Sequence, residues 1–205
     1  MIRQLYKKFF KKFNSGKYWE NRYAKGDNSG DGSYGRLAEF KAEFINDFVQ
    51  KNNIHSAVEL GCGDGNQLSL INYPKYTGLD VSQSIINLCK DKFKNDSTKS
   101  FKVHTTGDTS AKSDLSLSLD VIYHLVEKGV YTQYLTDLFS LSDKYVMVYS
   151  TDFNEDETVH VKHRKFSDDV AKMFPQWELL EVVKNKYPGR GEQMSLADFY
   201  IYKKK

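Results

Sequence analysis

The segment Ala57-Val58-Glu59-Leu60-Gly61-Cys62-Gly63-Asp64-Gly65-Asn66 constrains this chain more than any other. A short apolar run enters a loop with glycine at every second position, followed by residues able to start a helix. The pattern predicts a buried strand, a tight turn and a helix N-terminus. Glycine takes positive φ without a Cβ clash and lets a ligand approach the backbone. A helix start offers unpaired N–H groups to that ligand. A second short strand, Tyr76-Thr77-Gly78-Leu79, ends in Asp80. An acid at that tip can accept hydrogen bonds from both hydroxyls of a ribose. The two features predict a nucleoside pocket at the carboxyl ends of parallel strands.

The dinucleotide fingerprint is Gly-x-Gly-x-x-Gly. Here the third glycine comes one residue early, and the loop carries Glu59 and Asp64. Carboxylates there repel a pyrophosphate. They suit a ligand with a cationic end, such as the amino group and sulfonium of S-adenosylmethionine. On Glu59 to Gly65, Asp80 and the later run Leu117-Ser118-Leu119-Asp120-Val121-Ile122-Tyr123-His124, the chain resembles the class I S-adenosylmethionine-dependent methyltransferases. The resemblance extends from about Trp19 to the C-terminus. It implies an α/β fold with a doubly wound, mostly parallel seven-stranded sheet and an antiparallel last strand. It implies S-adenosylmethionine as cofactor, held by Glu59, Gly61, Cys62, Gly63, Asp64, Gly65, Asp80, Val81 and Asp120. It also divides the chain into an N-terminal segment and lid loop, 1–36, and a methyltransferase domain, 37–205.

The 205 residues suffice for one well-filled domain. A net charge of +3 is too small to argue for nucleic acid by itself. Cys62 and Cys89 are expected far apart, so a disulfide is not expected and a reducing cytoplasm is. No apolar run is long enough to span a membrane, no apolar core or cleavage site follows the basic start, and no internal repeat is visible.

Ile2, Leu5, Tyr6, Phe9, Phe10 and Phe13 recur at helical spacing among basic residues. Three readings of Met1 to Asn14 stand open: a helix packed on the domain or lidding the pocket, a membrane-surface contact, and disorder or a partner contact. Tyr18-Trp19-Glu20-Asn21-Arg22-Tyr23 and the loop Gly26 to Gly35 follow. Trp19 and Tyr34 can shield a sulfonium through cation–π contact, and Arg22 can meet a carboxylate; core packing is the other reading of Trp19. Leu37 to Lys51 is an amphipathic helix. Ser82 is an N-cap for Gln83 to Phe93. Family position suggests adenine contact for the loop at Asp108, against a plain turn carboxylate.

Asp114 to Asp120 alternates and reads as the central fourth strand, with Asp120 at its carboxyl end. His124, four residues on, can share a face with it. After a strand at Lys144 to Ser150, the loop turns from acidic to basic at His160, Lys162, His163, Arg164 and Lys165. Arg164 with His160 or His163 can grip a phosphate or carboxylate, a solvated loop being the other reading, and Arg190 and Tyr34 are further acceptor-side candidates. A metal pair at His160 and His163 lacks a third ligand nearby, so no metal is expected. Ser167 is expected to cap a helix over Asp168 to Phe174. Trp177 to Lys186 and Ala197 to Tyr202 are the closing antiparallel strands.

Methyl transfer from a sulfonium needs alignment of the partners, and a hydroxyl acceptor also needs a base. His124 is the first candidate, with Asp120 to orient it or bind the acceptor and Tyr123 and Glu127 as weaker ones; a pocket wall or a satisfied core histidine is the other reading of His124. The chain lacks an Asn/Asp-Pro-Pro-Tyr run and a Pro-Cys nucleophile, which disfavours DNA. Gly32-Ser33-Tyr34-Gly35 and Ser118 to Glu127 resemble small methyltransferases of bacterial glycan or surface-polysaccharide biosynthesis. The resulting expectation is O-methylation of a small anionic or phosphorylated intermediate. The alternatives are an N-methyltransferase or RNA methyltransferase, and a non-catalytic cofactor-binding module. Oligomeric state is not set by the sequence.

Overall fold

The computed structural model describes residues 13–205, apart from the side chain of Glu157. The readings of the basic N-terminal segment therefore fall outside the described residues, save for Phe13 and Asn14. Seven strands form one sheet in the order β3-β2-β1-β4-β5-β9-β8. They are β1 (Ala57–Leu60), β2 (Tyr76–Asp80), β3 (Lys99–Val103), β4 (Ser113–Leu119), β5 (Ser142–Ser150), β8 (Trp177–Val183) and β9 (Asp198–Lys204). β1 to β5 run parallel, and β9 is antiparallel to both β5 and β8. The expected mixed sheet with a reversed last strand is present. β6 (Glu155–Thr158) and β7 (Val161–His163) form a separate hairpin where a loop was expected.

Alternation along the strands divides the core. Met147, Tyr149, Phe199 and Ile201 face α2 (Gly35–Lys51) and α3 (Gln83–Lys92). Val146, Val148, Tyr200 and Tyr202 face α4 (Lys128–Ser140) and α5 (Phe166–Met173). Each fully buried side chain of this size contributes about 1.5–3 kcal/mol. On the second face Phe139 stacks on Phe174, with ring centroids 4.4 Å apart. The first helix, α1 (Ser15–Ala24), is capped by the Asn14 side chain, which accepts from Lys17 N. It lies over the β2–α3 junction, where Glu20 accepts from the hydroxyls of Ser82 and Ser84.

Three local expectations are corrected. The glycine loop leads only to a 3-10 turn, Gln67–Leu70, and not to an α-helix. Pro74 disfavours helical backbone at Tyr73, and the Gln67 amide is drawn inward to Ala38 O at 2.9 Å. Ser167 does not cap α5; its amide and hydroxyl are taken by Asp152, and Lys165 holds the cap position. Cys62 and Cys89 are neighbours, because α3 packs under the loop. Their thiols hydrogen-bond to each other, Cys89 Sγ also donates to Gly63 O at 3.1 Å, and both cysteines are unpaired.

Candidate functional site

At the carboxyl ends of the parallel strands lies a cavity of about 440 Å³. The glycine loop forms one wall. Gly61 has φ +84°, and a Cβ there would sit 2.6 Å from Val121 Cγ2. Gly63 has φ +55°, and its Cβ would sit 2.4 Å from Ser29 Oγ. Side chains are excluded at both positions by conformation and by space. Asp80 accepts from Gly63 N at 3.2 Å and from Ser82 N at 3.0 Å. Burial pushes its carboxyl up to about 6. Cys62, Val81 and Val121 complete this wall.

The amides of Gly61, Cys62, Gly63, Asp64 and Asn66 are already engaged. Asp64 N donates to Ser29 Oγ and Asn66 N to Asp64 Oδ1, each at 2.9 Å. No phosphate cradle of free N–H groups results, which agrees with the acids in the loop. Asp64 lines the cavity and is also engaged by the chain: its Oδ2 accepts from Ser29 N at 2.8 Å and from the Tyr34 hydroxyl at 2.9 Å. It staples the segment around Ser29 to Tyr34 over the cavity, so Ser29, Ser33 and Tyr23 join the lining while Tyr34 does not. Gly65 sits behind the wall, packed against Phe93 and Cys89. Glu59 is buried at the end of β1, where the Tyr76 hydroxyl donates to it at 2.6 Å. Burial pushes Glu59 up to about 7, against that bond and the nearby Lys41 ammonium.

Asp108 lies off the cavity, exposed, accepting from Ser110 N at 2.8 Å as an ordinary turn carboxylate. His104 and Thr106 line the cavity in its place. His104 Nε2 meets the buried Asp137 at 2.9 Å, and Asp137 also accepts from Gly107 N and Gln133 Nε2. Neither His104 nor Asp137 stood out in the sequence; the one signal was the place of His104 directly after β3.

The opposite wall meets the tip of β4. Asp120 has φ +60°. Its Oδ2 lies 2.6 Å from Lys41 Nζ, and its Oδ1 accepts from the Tyr123 hydroxyl at 2.9 Å. Lys41 is 1% exposed. It was missed, although it sits one turn after Leu37 and one before Ile45 on the apolar face of α2, where a lysine demands a partner. Asp120 does not hydrogen-bond His124, as had been expected. His124 Nδ1 lies 3.2 Å from the His160 carbonyl, an oxygen that can only accept, so Nε2 is left as the basic nitrogen. Burial pushes His124 down to about 4, so its imidazole is neutral at neutral pH. Trp19 packs edge-on against it at 5.0 Å, and Tyr18 stacks on His160 at 5.2 Å.

The expected anion grip is not assembled in the cavity. His163 is buried against Thr151 Oγ1, at 2.7 Å. Arg164 donates to Val126 O at 2.9 Å and stacks on Tyr131. Arg190 pairs with Glu155, and Arg22 donates to Asn28 O. None of these lines the cavity, nor does His160. Strand alternation separates the neighbours of the basic run. Among the described residues, no group of three or more metal-binding side chains is gathered.

No protein-family model matches the sequence, and no curated protein does. Solved structures do. The N-methyltransferase NodS from Bradyrhizobium japonicum WM9, in complex with S-adenosyl-L-homocysteine, aligns with a TM-score of 0.72 at 14% identity, over 94% of this chain and 99% of that one. Magnesium protoporphyrin IX methyltransferase from Synechocystis PCC 6803, with the same ligand bound, gives 0.65 at 13% identity, over 99% and 100%. The methyltransferase domain of bacterial CtHen1-C gives 0.63 at 19% identity, over 80% and 96%. The chain therefore has the Rossmann-like fold of the S-adenosylmethionine-dependent methyltransferases.

Proposed function

We propose that this chain binds S-adenosylmethionine and methylates a small-molecule acceptor. One observation carries the reading: a single cavity is lined by Asp80, by the bare backbone of Gly61 and Gly63, and by Lys41, Asp120 and His124 at the β4 tip. The residues fit the cofactor. Gly61 and Gly63 must stay bare because a Cβ would collide with Val121 and Ser29, and the carboxylates of Asp64 and Asp80 on the same cavity suit a cationic ligand better than a pyrophosphate. Bound there, S-adenosylmethionine supplies an electrophilic methyl group on a cationic sulfur. Asp80 would hold the ribose hydroxyls, Val81 and Val121 the faces of the base, and His104 and Thr106 its edge. Trp19 offers a π face to a cation and excludes water.

The acceptor atom is the finer question. An oxygen acceptor needs a base tuned near the working pH. With His124 pushed down to about 4, its imidazole is a weak base for an alcohol. An uncharged amine needs no base before attack, and the Asp120 carboxylate favours the positive charge that develops on nitrogen. Methyl transfer to nitrogen is the reading favoured by this geometry. O-methylation of an anionic glycan intermediate rests on resemblance, and Arg164 and Arg190, its expected grip, are engaged elsewhere. Calorimetry with S-adenosylmethionine and S-adenosylhomocysteine is the first test; failure of both to bind removes the proposal. Radiolabelled methyl transfer to matched amine and alcohol panels then separates nitrogen from oxygen.

A further inference from the structure

We infer that Lys41 sets how strongly the cavity prefers a cationic sulfonium ligand over its neutral thioether counterpart, as counter-ion to the carboxylates of Asp120 and Glu59. The inference rests on the cofactor reading above and concerns the electrostatics of that same site.

Lys41 is sealed on the apolar face of α2, where it has lost its hydration. Its Nζ is 2.6 Å from Asp120 Oδ2 and 5.1 Å from the centre of the Tyr149 ring. Its field also reaches Glu59, favouring the ionised carboxylate there. Asp120 is fixed in place. Its backbone is left-handed, the Tyr123 hydroxyl holds Oδ1, and a Cβ on Gly32 would lie only 2.7 Å from Oδ2. The Lys41–Asp120 pair is therefore set before a ligand arrives, and above pH 7 Glu59 is ionised as well. Lys41, Asp120 and Glu59 all line the cavity that Gly61 opens.

A cation placed among them meets two carboxylates offset by one ammonium. In partly buried surroundings a unit charge a few ångströms away is strongly felt. Unopposed, the carboxylates would bind the sulfonium ground state tightly, and that charge leaves sulfur as the methyl group is transferred. Binding the ground state more tightly than the transition state slows the chemistry. Lys41 restrains that excess. S-adenosylmethionine and S-adenosylhomocysteine differ by one charge and one methyl group, so the ratio of their affinities reads the potential directly.

The test is calorimetry with each of these two ligands, at pH 8.5 and low salt, on the wild-type chain, Lys41→Met, Asp120→Asn, the double variant and Lys41→Arg, with the melting temperature of each. Lys41→Met should raise the affinity ratio in favour of the sulfonium on the order of tenfold. Asp120→Asn should lower it by a similar factor, the double variant should return close to wild type, and Lys41→Arg should leave it unchanged. A folded Lys41→Met whose two affinities fall together, with the ratio unmoved, overturns the inference and leaves Lys41 a structural anchor. Should Lys41→Met not fold, because its buried carboxylate is uncompensated, Asp120→Asn and the double variant decide: an unmoved ratio in Asp120→Asn overturns the inference equally. A wild-type chain that binds neither ligand sinks the cofactor reading instead, so the two failures are distinguishable.

Discussion

The two walls of the cavity are built by different means. The wall proposed to hold the nucleoside comes from neighbouring stretches of chain, the β1 tip and the β2 tip. Its main donors are backbone amides, with Gly63 N and Ser82 N both meeting Asp80. The wall proposed to face methyl transfer is gathered from α1, α2 and the β4 tip, with the His160 carbonyl meeting His124 from the turn between β6 and β7. There side chain meets side chain: Lys41 with Asp120, Tyr123 with Asp120, Trp19 with His124. A backbone wall tolerates most changes except the addition of a side chain where none fits. A side-chain wall depends on residue identity at every point. Changes in the first should alter the binding of any adenosyl ligand alike, and changes in the second should alter discrimination and chemistry.

The largest effect should come from filling the backbone wall. Gly61→Ala adds strain at φ +84° and a contact 2.6 Å from Val121. Together these should cost about 4 kcal/mol of folding stability, measured by urea unfolding. A folded variant whose S-adenosylhomocysteine affinity stays near wild type would place the ligand away from the loop. Next is pH. Burial raises Glu59 to about 7 and Asp80 to about 6, so the ligand-free fold holds these protons more tightly than the unfolded chain does. Stability should be greatest below their ordinary values and decline as pH rises from about 4 to about 7, by about 3 kcal/mol for each group. Urea unfolding across that range measures it, and Glu59→Gln should flatten the slope.

Asp80→Ala should weaken S-adenosylmethionine and S-adenosylhomocysteine equally, by about 1–3 kcal/mol. An unequal loss would blur the division between the walls. The smallest effect belongs to the transfer wall. Trp19→Ala should weaken the sulfonium ligand by about 0.5–1 kcal/mol and the thioether by less. Equal losses would make Trp19 a packing residue only.

The β1 and β2 tips were legible in the sequence because their parts are local: glycine spacing, an acid at a strand tip and alternating strands such as Val146 to Tyr149 each report on themselves. The transfer wall was legible only in fragments. Asp120 and His124 were visible as candidates, but their partners, Lys41 and the His160 carbonyl, lie far away in the chain. The basic run around His163 and Arg164 misled for a related reason. Proximity in sequence suggested one grip, while hairpin backbone sends His163 to Thr151 and Arg164 to Tyr131. The helix expected after Gly65 failed because Pro74 and the approach to β2 leave no room to propagate it.

The paired thiols beneath the glycine loop have a practical consequence. Cys62 reaches the cavity wall, but Cys89 is sealed between the loop and α3, bonded to the Gly63 carbonyl. An alkylating reagent can meet Cys89 only during excursions that lift the loop from the helix. Its labelling rate is thus a built-in clock for breathing of the chain at that spot, and any molecule that braces the loop from above will slow it.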